Sequence, residues 1–381
     1  MRLADLLAPV NPGKPVINLS VGEPTHAVPD FVGPVLAANL TDFNKYPANK
    51  GTEAFRKTVQ AWLSRRYALP RPLDFETEIM VLSGTREGLF LAALAAKRFV
   101  SARAGKPAII LPNPFYAVYS AAAAGAECEP VYLPATRDTG FLPDIDKLDD
   151  AMLARTVAFY LASPANPQGS VASADYLKRL VALARKHGFM VFADECYSEI
   201  YSTTPPSGML EHAGPDYSNI AIFHSLSKRS NLAGLRIGFI AGDAKFIARY
   251  LDLRSVSSPQ APMPLQAVAV AAYSDEKHVE ENRRLYSQKF DLADQIIGDR
   301  YGYKRPAGGF FLWLDVSAQG GGEKAAEKLW REAGVRVLPG GYIAREDSSG
   351  GNPGENYIRV AMVQNNEDTA EALHRLVAVL G

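Results

Sequence analysis

The sequence predicts an α/β protein in two parts: a large domain with a mostly parallel sheet, residues 42–280, and a smaller α+β domain of residues 281–381 with 1–41. Three observations carry this. Short apolar runs alternate with helical patterns through the middle of the chain, the rhythm changes near Ser274, and 381 residues exceed one ordinary core. In order, "VLSGTREGLF" reads as a strand, a turn and the start of a helix that continues through "EGLFLAALAAKRFV". "PAIILP", "CEPVYLP" and "TVAFYLAS" are strands, because each is a brief apolar run bounded by proline or polar residues. "SADYLKRLVALARKHG" spaces its apolar residues for a helix, and "FMVFADE" and "NIAIFHS" are strands again. Strand, helix, strand in succession implies parallel pairing. "SDEKHVEENRRLYSQKFDLADQIIGD" then reads as one long charged helix, too polar for a core element and expected to link the two parts. A Gly-rich turn and strand "PAGGFFLWLDV", a helix "EKAAEKLWREAG", strands "VRVLPG" and "YIRVAMV" and a terminal helix "NEDTAEALHRLVAVLG" complete the smaller domain. The N-terminal segment is too short for its own core and is expected to pack on this last part.

Composition narrows the function. Forty-one basic residues balance 41 acidic ones, so no excess charge favours a nucleic-acid partner. Cys128 and Cys196 are the two cysteines, without CxxC or metal spacing, which argues against a disulfide framework and against a metal site. No run approaches the length of a membrane span, and the first residues lack the pattern of a signal peptide, so a cytoplasmic protein is expected. No GxGxxG opens a helix after a strand, which disfavours a nicotinamide enzyme.

The polar residues that follow the strands are where an open α/β sheet binds ligands. Gly84 and Thr85 precede a helix, where free N–H groups suit an anion, although a threonine there also serves as an ordinary cap. In "PNPFYAVY", Phe115 or Tyr116 can stack on a flat ring or simply pack. Asn166 in "SPANPQG" can bond backbone or ligand. Asp194 ends an apolar strand, either as a helix cap or as partner to a protonated ring nitrogen, with Tyr197 three residues on. "FHSLSKRSNLAGLRIGF" adds Ser225, Ser227, Lys228 and Arg236. A lone lysine usually reaches out to solvent, but a desolvated one can form a Schiff base, and hydroxyls with an arginine suit a phosphate. Phosphate, aldehyde and basic ring nitrogen together describe pyridoxal 5′-phosphate.

With those motifs in place, and with "SVGEP", "YPANKG" and "YIRVAMV" beside them, the whole chain resembles the class I/II aminotransferases, fold-type I pyridoxal-phosphate enzymes. The resemblance implies that Lys228 holds the cofactor and moves the substrate proton, that Asp194 keeps the pyridine nitrogen protonated, and that Tyr197 and Asn166 bond the ring's phenolic oxygen. It implies that Tyr116 stacks on the ring and that Gly84, Thr85, Arg86, Ser225 and Arg236 hold the phosphate. Arg359 would grip the substrate α-carboxylate, with Gly22 and Asn166 nearby. Tyr46 would reach the phosphate of a neighbouring subunit, which makes the protein a homodimer with shared active sites.

"FHSLSKRSN", "NPFYAVYSAAAAGAE", "HVEENRRLYSQKF", "VLPGGYIAR" and "NPGENYIRVAMV" are similar to the succinyldiaminopimelate aminotransferases of lysine biosynthesis. That resemblance implies amino transfer between glutamate and N-succinyl-2-amino-6-oxopimelate by a ping-pong route. Arg254 and Arg86 are the candidates to meet a second substrate carboxylate. Aspartate, alanine or aromatic aminotransferases, and less closely a carbon–sulfur lyase or decarboxylase, share the same core residues.

Overall fold

The structure is a computed structural model that describes residues 2–103, 105–347 and 350–381. Its strands are β1 (Ile17–Asn18), β2 (Ile79–Leu82), β3 (Ala108–Asn113), β4 (Glu129–Pro134), β5 (Thr156–Ala162), β6 (Met190–Asp194), β7 (Ile220–Ser225), β8 (Gly238–Gly242), β9 (Phe311–Asp315), β10 (Val335–Arg336), β11 (Leu338–Pro339) and β12 (Tyr357–Ala361). Seven form one sheet in the order β2-β8-β7-β6-β5-β3-β4. β8 runs antiparallel to both neighbours, and the other pairs are parallel.

Alternate residues of each central strand enter different cores. On β6, Met190 and Phe192 join one apolar cluster while Val191 and Ala193 join the other. Helices Glu53–Arg66, Ala174–His187 and Met263–Ser274 cover the face of Val191 and Ala193, and Thr85–Phe99, Ala117–Gly125 and Ala244–Ser257 cover the face of Met190 and Phe192. Burial on both faces is why these strands read as continuous apolar runs rather than alternating ones. β8 had no such signature. Its sequence is "GFIAG", and a Cβ on Gly238 would lie 2.6 Å from the His224 carbonyl oxygen, so the close approach to β7 demands glycine there.

The smaller sheet, β11-β12-β9, is antiparallel, and β1 pairs in parallel with β10. Ile17 and Leu19 therefore pack in its core, with helices Gly322–Ala333 and Asn366–Leu380. Further along the same N-terminal segment, Phe31, Val32, Val35 and Leu36 pack instead against the core of the large sheet that holds Val191 and Ala193. The segment thus crosses from one core to the other between them.

The charged helix spans Lys277–Ile296, and its composition misled the expectation that it stays out of the core. Val279, Tyr286, Phe290 and Ala293 are buried along one stripe, and Asn282 and Lys289 are buried on that stripe with them. Charge on the outer face hid an apolar inner one.

Candidate active site

The carboxyl ends of the parallel strands open into a cavity of about 460 Å³ that also receives the N-terminal segment and β12. β2 delivers Gly84, whose φ of +88° places it where an L side chain is strained, and a Cβ there would collide with the Arg236 guanidinium. Arg236 itself is held left-handed at φ +57°, with Nη1 donating to the Ala233 carbonyl at 2.8 Å. The cation therefore lies against the start of helix Thr85–Phe99. Gly84→Ala is expected to lower stability by about 1 kcal/mol or more; an unchanged Tm would contradict this packing.

β7 ends in Ser225, whose Oγ accepts from Ser227 N at 3.1 Å and so caps the short helix Leu226–Arg229. Lys228 sits in this helix, half-buried, with Nζ donating to the Gly22 carbonyl and lying 5.2 Å over the Phe310 ring. Burial pulls its amine from the usual lysine range down to about 8; Arg359 and Arg236 push the same way, against Cys196 and Glu23. Gly22 must be small, since a Cβ would meet the Phe311 ring.

β6 ends in Asp194, nearly buried at 9% exposure. Its Oδ2 accepts from the Tyr119 hydroxyl at 2.7 Å and Oδ1 from Cys196 N at 3.2 Å. Tyr119 stacks on Tyr160 with ring centres 4.7 Å apart, and burial, then the Asp194 charge, hold its phenol well above the usual range. Tyr119 was not singled out from sequence. Its spacing three residues beyond Tyr116, at the start of helix Ala117–Gly125, was the available signal. Tyr116 accepts from Arg86 Nε at 2.9 Å on the exposed rim, and Thr85 Oγ1 accepts from the Cys196 thiol at 3.4 Å.

β12 brings Arg359. Ile358 and Val360 face the core, so Arg359 between them faces the cavity, opposite Trp313 on β9. Its Nη1 donates to Asn166 Oδ1 at 3.2 Å and Nη2 to the Ser20 carbonyl at 2.8 Å, with the guanidinium 4.4 Å over Phe311. Nε is buried without a hydrogen-bond partner among the described residues. Burial lowers this guanidinium to about 10, opposed by Tyr197. The Tyr197 ring lies edge-on to Phe310 at 5.2 Å, and burial raises its phenol well above the usual range.

Gly22, Thr85, Arg86, Tyr116, Asn166 and Asp194 thus line one cavity together with Tyr197, Ser225, Lys228, Arg236 and Arg359. Tyr46 does not join them; it is 98% exposed, outside the cavity of its own chain. Arg254 is the correction among the candidates for a second carboxylate. It is buried at 1% exposure, paired with Glu87 at 2.8 Å and bonded to the Asn49 and Pro259 carbonyls, so its charge is already used inside the protein. Among the described residues no cluster of histidine, cysteine or carboxylate side chains could hold a metal, and no helix is long and apolar enough to cross a membrane.

Comparison with known proteins bears on the fold and the family. A solved aminotransferase from Neisseria meningitidis superimposes with a TM-score of 0.93 at 35% identity, over 100% of this chain and 96% of the other. The LL-diaminopimelate aminotransferase of Syntrophobacter fumaroxidans is 31% identical over 96% of this chain and 91% of its own length. The 4-dedimethylamino-4-oxo-anhydrotetracycline transaminase OxyQ of Streptomyces rimosus is 34% identical over 95% and 93%. The family profile "Aminotransferase class I and II" matches residues 14–376, and the chain belongs to that family of fold-type I, pyridoxal-phosphate-dependent enzymes.

Proposed function

We propose that the protein transfers an amino group between glutamate and a keto acid of the pimelate skeleton, first among them N-succinyl-2-amino-6-oxopimelate, in lysine and diaminopimelate biosynthesis. The observation that carries the chemistry is one cavity holding a lysine amine near pKa 8, a Tyr119-bonded carboxylate and an arginine whose buried Nε has no hydrogen-bond partner among the described residues. The residues fit the cofactor. Arg236 against Gly84 forms a cationic cradle that a Cβ would fill, at a helix start where an anion is favoured.

Pyridoxal phosphate, when bound, supplies an aldehyde carbon that joins to amines and a protonated ring that accepts the electron pair left by a broken C–H bond. In this reading Lys228 provides the amine that holds the cofactor and the base that takes the proton from the substrate α-carbon. Burial leaves that amine uncharged in a far larger fraction than a surface lysine at neutral pH. Asp194 holds the proton on the pyridine nitrogen, and Tyr119 fixes the carboxylate's orientation. Asn166 and Tyr197 lie beside Arg359 at the substrate end, where they serve the ring's phenolic oxygen, and Tyr116 stacks on the ring. Gly84, Thr85, Ser225 and Arg236 hold the phosphate, with the backbone amide of Arg86. Arg359 binds the α-carboxylate as a two-pronged pair, with the Gly22 backbone close by.

Tyr46 is assigned to the phosphate of a second copy, so the working unit is a homodimer; its 98% exposure supports this role. Arg86, exposed on the rim beside Tyr116, is the remaining candidate for a distal carboxylate. The names of the relatives favour a second reading in which diaminopimelate itself, without the succinyl group, is the amino acid exchanged. Adding glutamate to the holoenzyme in a single turnover is expected to convert the bound cofactor's absorption to that of its amine form. An unchanged spectrum would defeat glutamate transamination, and release of ammonia or carbon dioxide would point to a lyase or decarboxylase. Profiling amino acceptors against the glutamate-loaded enzyme then separates the pimelate acids from aspartate, alanine and aromatic keto acids.

A further inference from the structure

Behind the cavity, the buried polar residues of helix Lys277–Ile296 meet the backbone of Lys228. Asn282 is 2% exposed, and its Nδ2 donates to the carbonyl oxygens of Lys228 at 3.1 Å and Arg229 at 3.3 Å. These are the last carbonyls of a helix of four residues, Leu226–Arg229, which lie where no further helical turn can satisfy them. With Nδ2 committed to two acceptors, Asn282 Oδ1 must accept, and it lies 2.7 Å from His26 Nδ1. His26 Nδ1 therefore carries the hydrogen. In a neutral ring Nε2 is then an acceptor, and it faces Lys289 Nζ at 2.6 Å. Lys289 is 1% exposed and also donates to the Val363 carbonyl at 3.3 Å, an oxygen shared with the Thr25 hydroxyl. The Tyr286 ring, 4.5 Å from the imidazole, closes one side.

The segment from Gly22 to His26 thus touches Lys228 twice, at its amine through the Gly22 carbonyl and at its own carbonyl through His26 and Asn282. We propose that Lys289, His26 and Asn282 form a directional hydrogen-bond relay whose three members are positioning residues for Lys228, locking its helix end to the segment that carries Gly22. The relay runs one way only: Lys289 donates to His26, His26 to Asn282, and Asn282 to the Lys228 and Arg229 carbonyls. It keeps the lysine backbone still while the amine serves the cofactor and the substrate proton, so its loss misplaces the amine rather than weakening substrate binding at Arg359. The catalytic consequence rests on the reading of Lys228 as the reacting amine; the tautomer of His26 does not.

Two measurements test it. ¹⁵N-histidine NMR of the wild-type holoenzyme at pH 7.5 is expected to show His26 as the neutral Nδ1–H tautomer. The Nε2–H tautomer or a doubly protonated ring would overturn the relay without any variant having to fold. In steady-state kinetics, Asn282→Ala is expected to lower kcat by about 10- to 100-fold with KM for glutamate within about threefold, the signature of a misplaced reacting group. His26→Asn puts an amide donor where Nδ1 stood, keeping the link to Asn282 and cutting only the one to Lys289. It is expected to lose clearly less kcat than Asn282→Ala, whereas His26→Gln puts the donor at the Nε2 position and is expected to lose about as much as Asn282→Ala. Equal damage from both histidine variants, or a wild-type kcat in Asn282→Ala, would overturn the proposal. Turnover retained in Lys228→Ala would instead sink the reading of Lys228, whatever tautomer His26 shows.

Discussion

Lys228→Ala is expected to lower kcat by at least about 10⁴-fold, because in the proposed reading it removes an activated amine and the proton-transferring base in one step. The fold should survive. The side chain is half-buried and desolvated, it donates a hydrogen bond to the Gly22 carbonyl, and the neighbouring cations Arg359 and Arg236 oppose its charge. Unfolding curves of the cofactor-free variant should therefore match or exceed those of the wild type. Retained turnover would remove Lys228 from its assigned role, and a collapse of stability would show that its contribution is structural.

The same desolvation sets a pH signature that needs no substrate. An ammonium buried against Phe310 loses hydration, so its proton leaves near pH 8 rather than 10.5. Below about pH 8 the amine is charged and unreactive; above it the free base dominates. Amine-reactive labelling of the cofactor-free protein should show Lys228 modified with a midpoint near pH 8, well below the surface lysines. The linkage to stability runs in the same direction. Between pH 8 and 10.5 the unfolded chain still binds the proton that the native chain has lost, so this lysine's contribution raises native stability as pH rises through that window.

The strand ends were legible in the sequence for a simple reason: a strand buried on both faces is a continuous apolar run, and the first polar residue after it marks where the sheet opens to solvent. Asp194 and Ser225, which line the cavity, were found that way. Arg359 needed the family resemblance, because an arginine between Ile358 and Val360 looks like any outward strand residue until β12 is known to face the large sheet. Tyr119 went unnoticed because an apolar helix start gives no sign of a hydroxyl aimed at a carboxylate 75 residues away. Asn282 and Lys289 were hidden differently. They share the 279, 282, 286, 289, 293 stripe of a helix whose total charge suggested a solvent-facing rod, and spacing rather than composition was the signal to follow. β8 was invisible because its ends are glycines chosen for close backbone approach, not for strand propensity.

Asp194→Asn is expected to reduce kcat by about 10³-fold, the scale on which one preorganised electrostatic partner acts in a water-poor site. Asparagine keeps the size of the side chain, and its carbonyl can still accept from Tyr119 as Oδ2 does now at 2.7 Å. In the proposed reading it loses the negative charge that would hold a proton on the pyridine nitrogen, along with the bond Oδ1 accepts from Cys196 N; without that proton the ring would take up the substrate's electron pair poorly. Cofactor affinity, which the proposed reading assigns largely to Arg236 and the Gly84 turn at the phosphate, should fall far less than the rate. Tyr119→Phe separates charge from orientation: it removes the hydrogen bond to the carboxylate but keeps the ring stacked on Tyr160, and is expected to lower kcat by about tenfold, as one charge-assisted hydrogen bond would. The two should couple, since Tyr119 acts only through the carboxylate, so adding Tyr119→Phe to Asp194→Asn should cost less than it does alone. Near-normal turnover in Asp194→Asn would move the ring-nitrogen partner elsewhere, and additive losses in the double variant would mean that Tyr119 reaches the reaction by a route of its own.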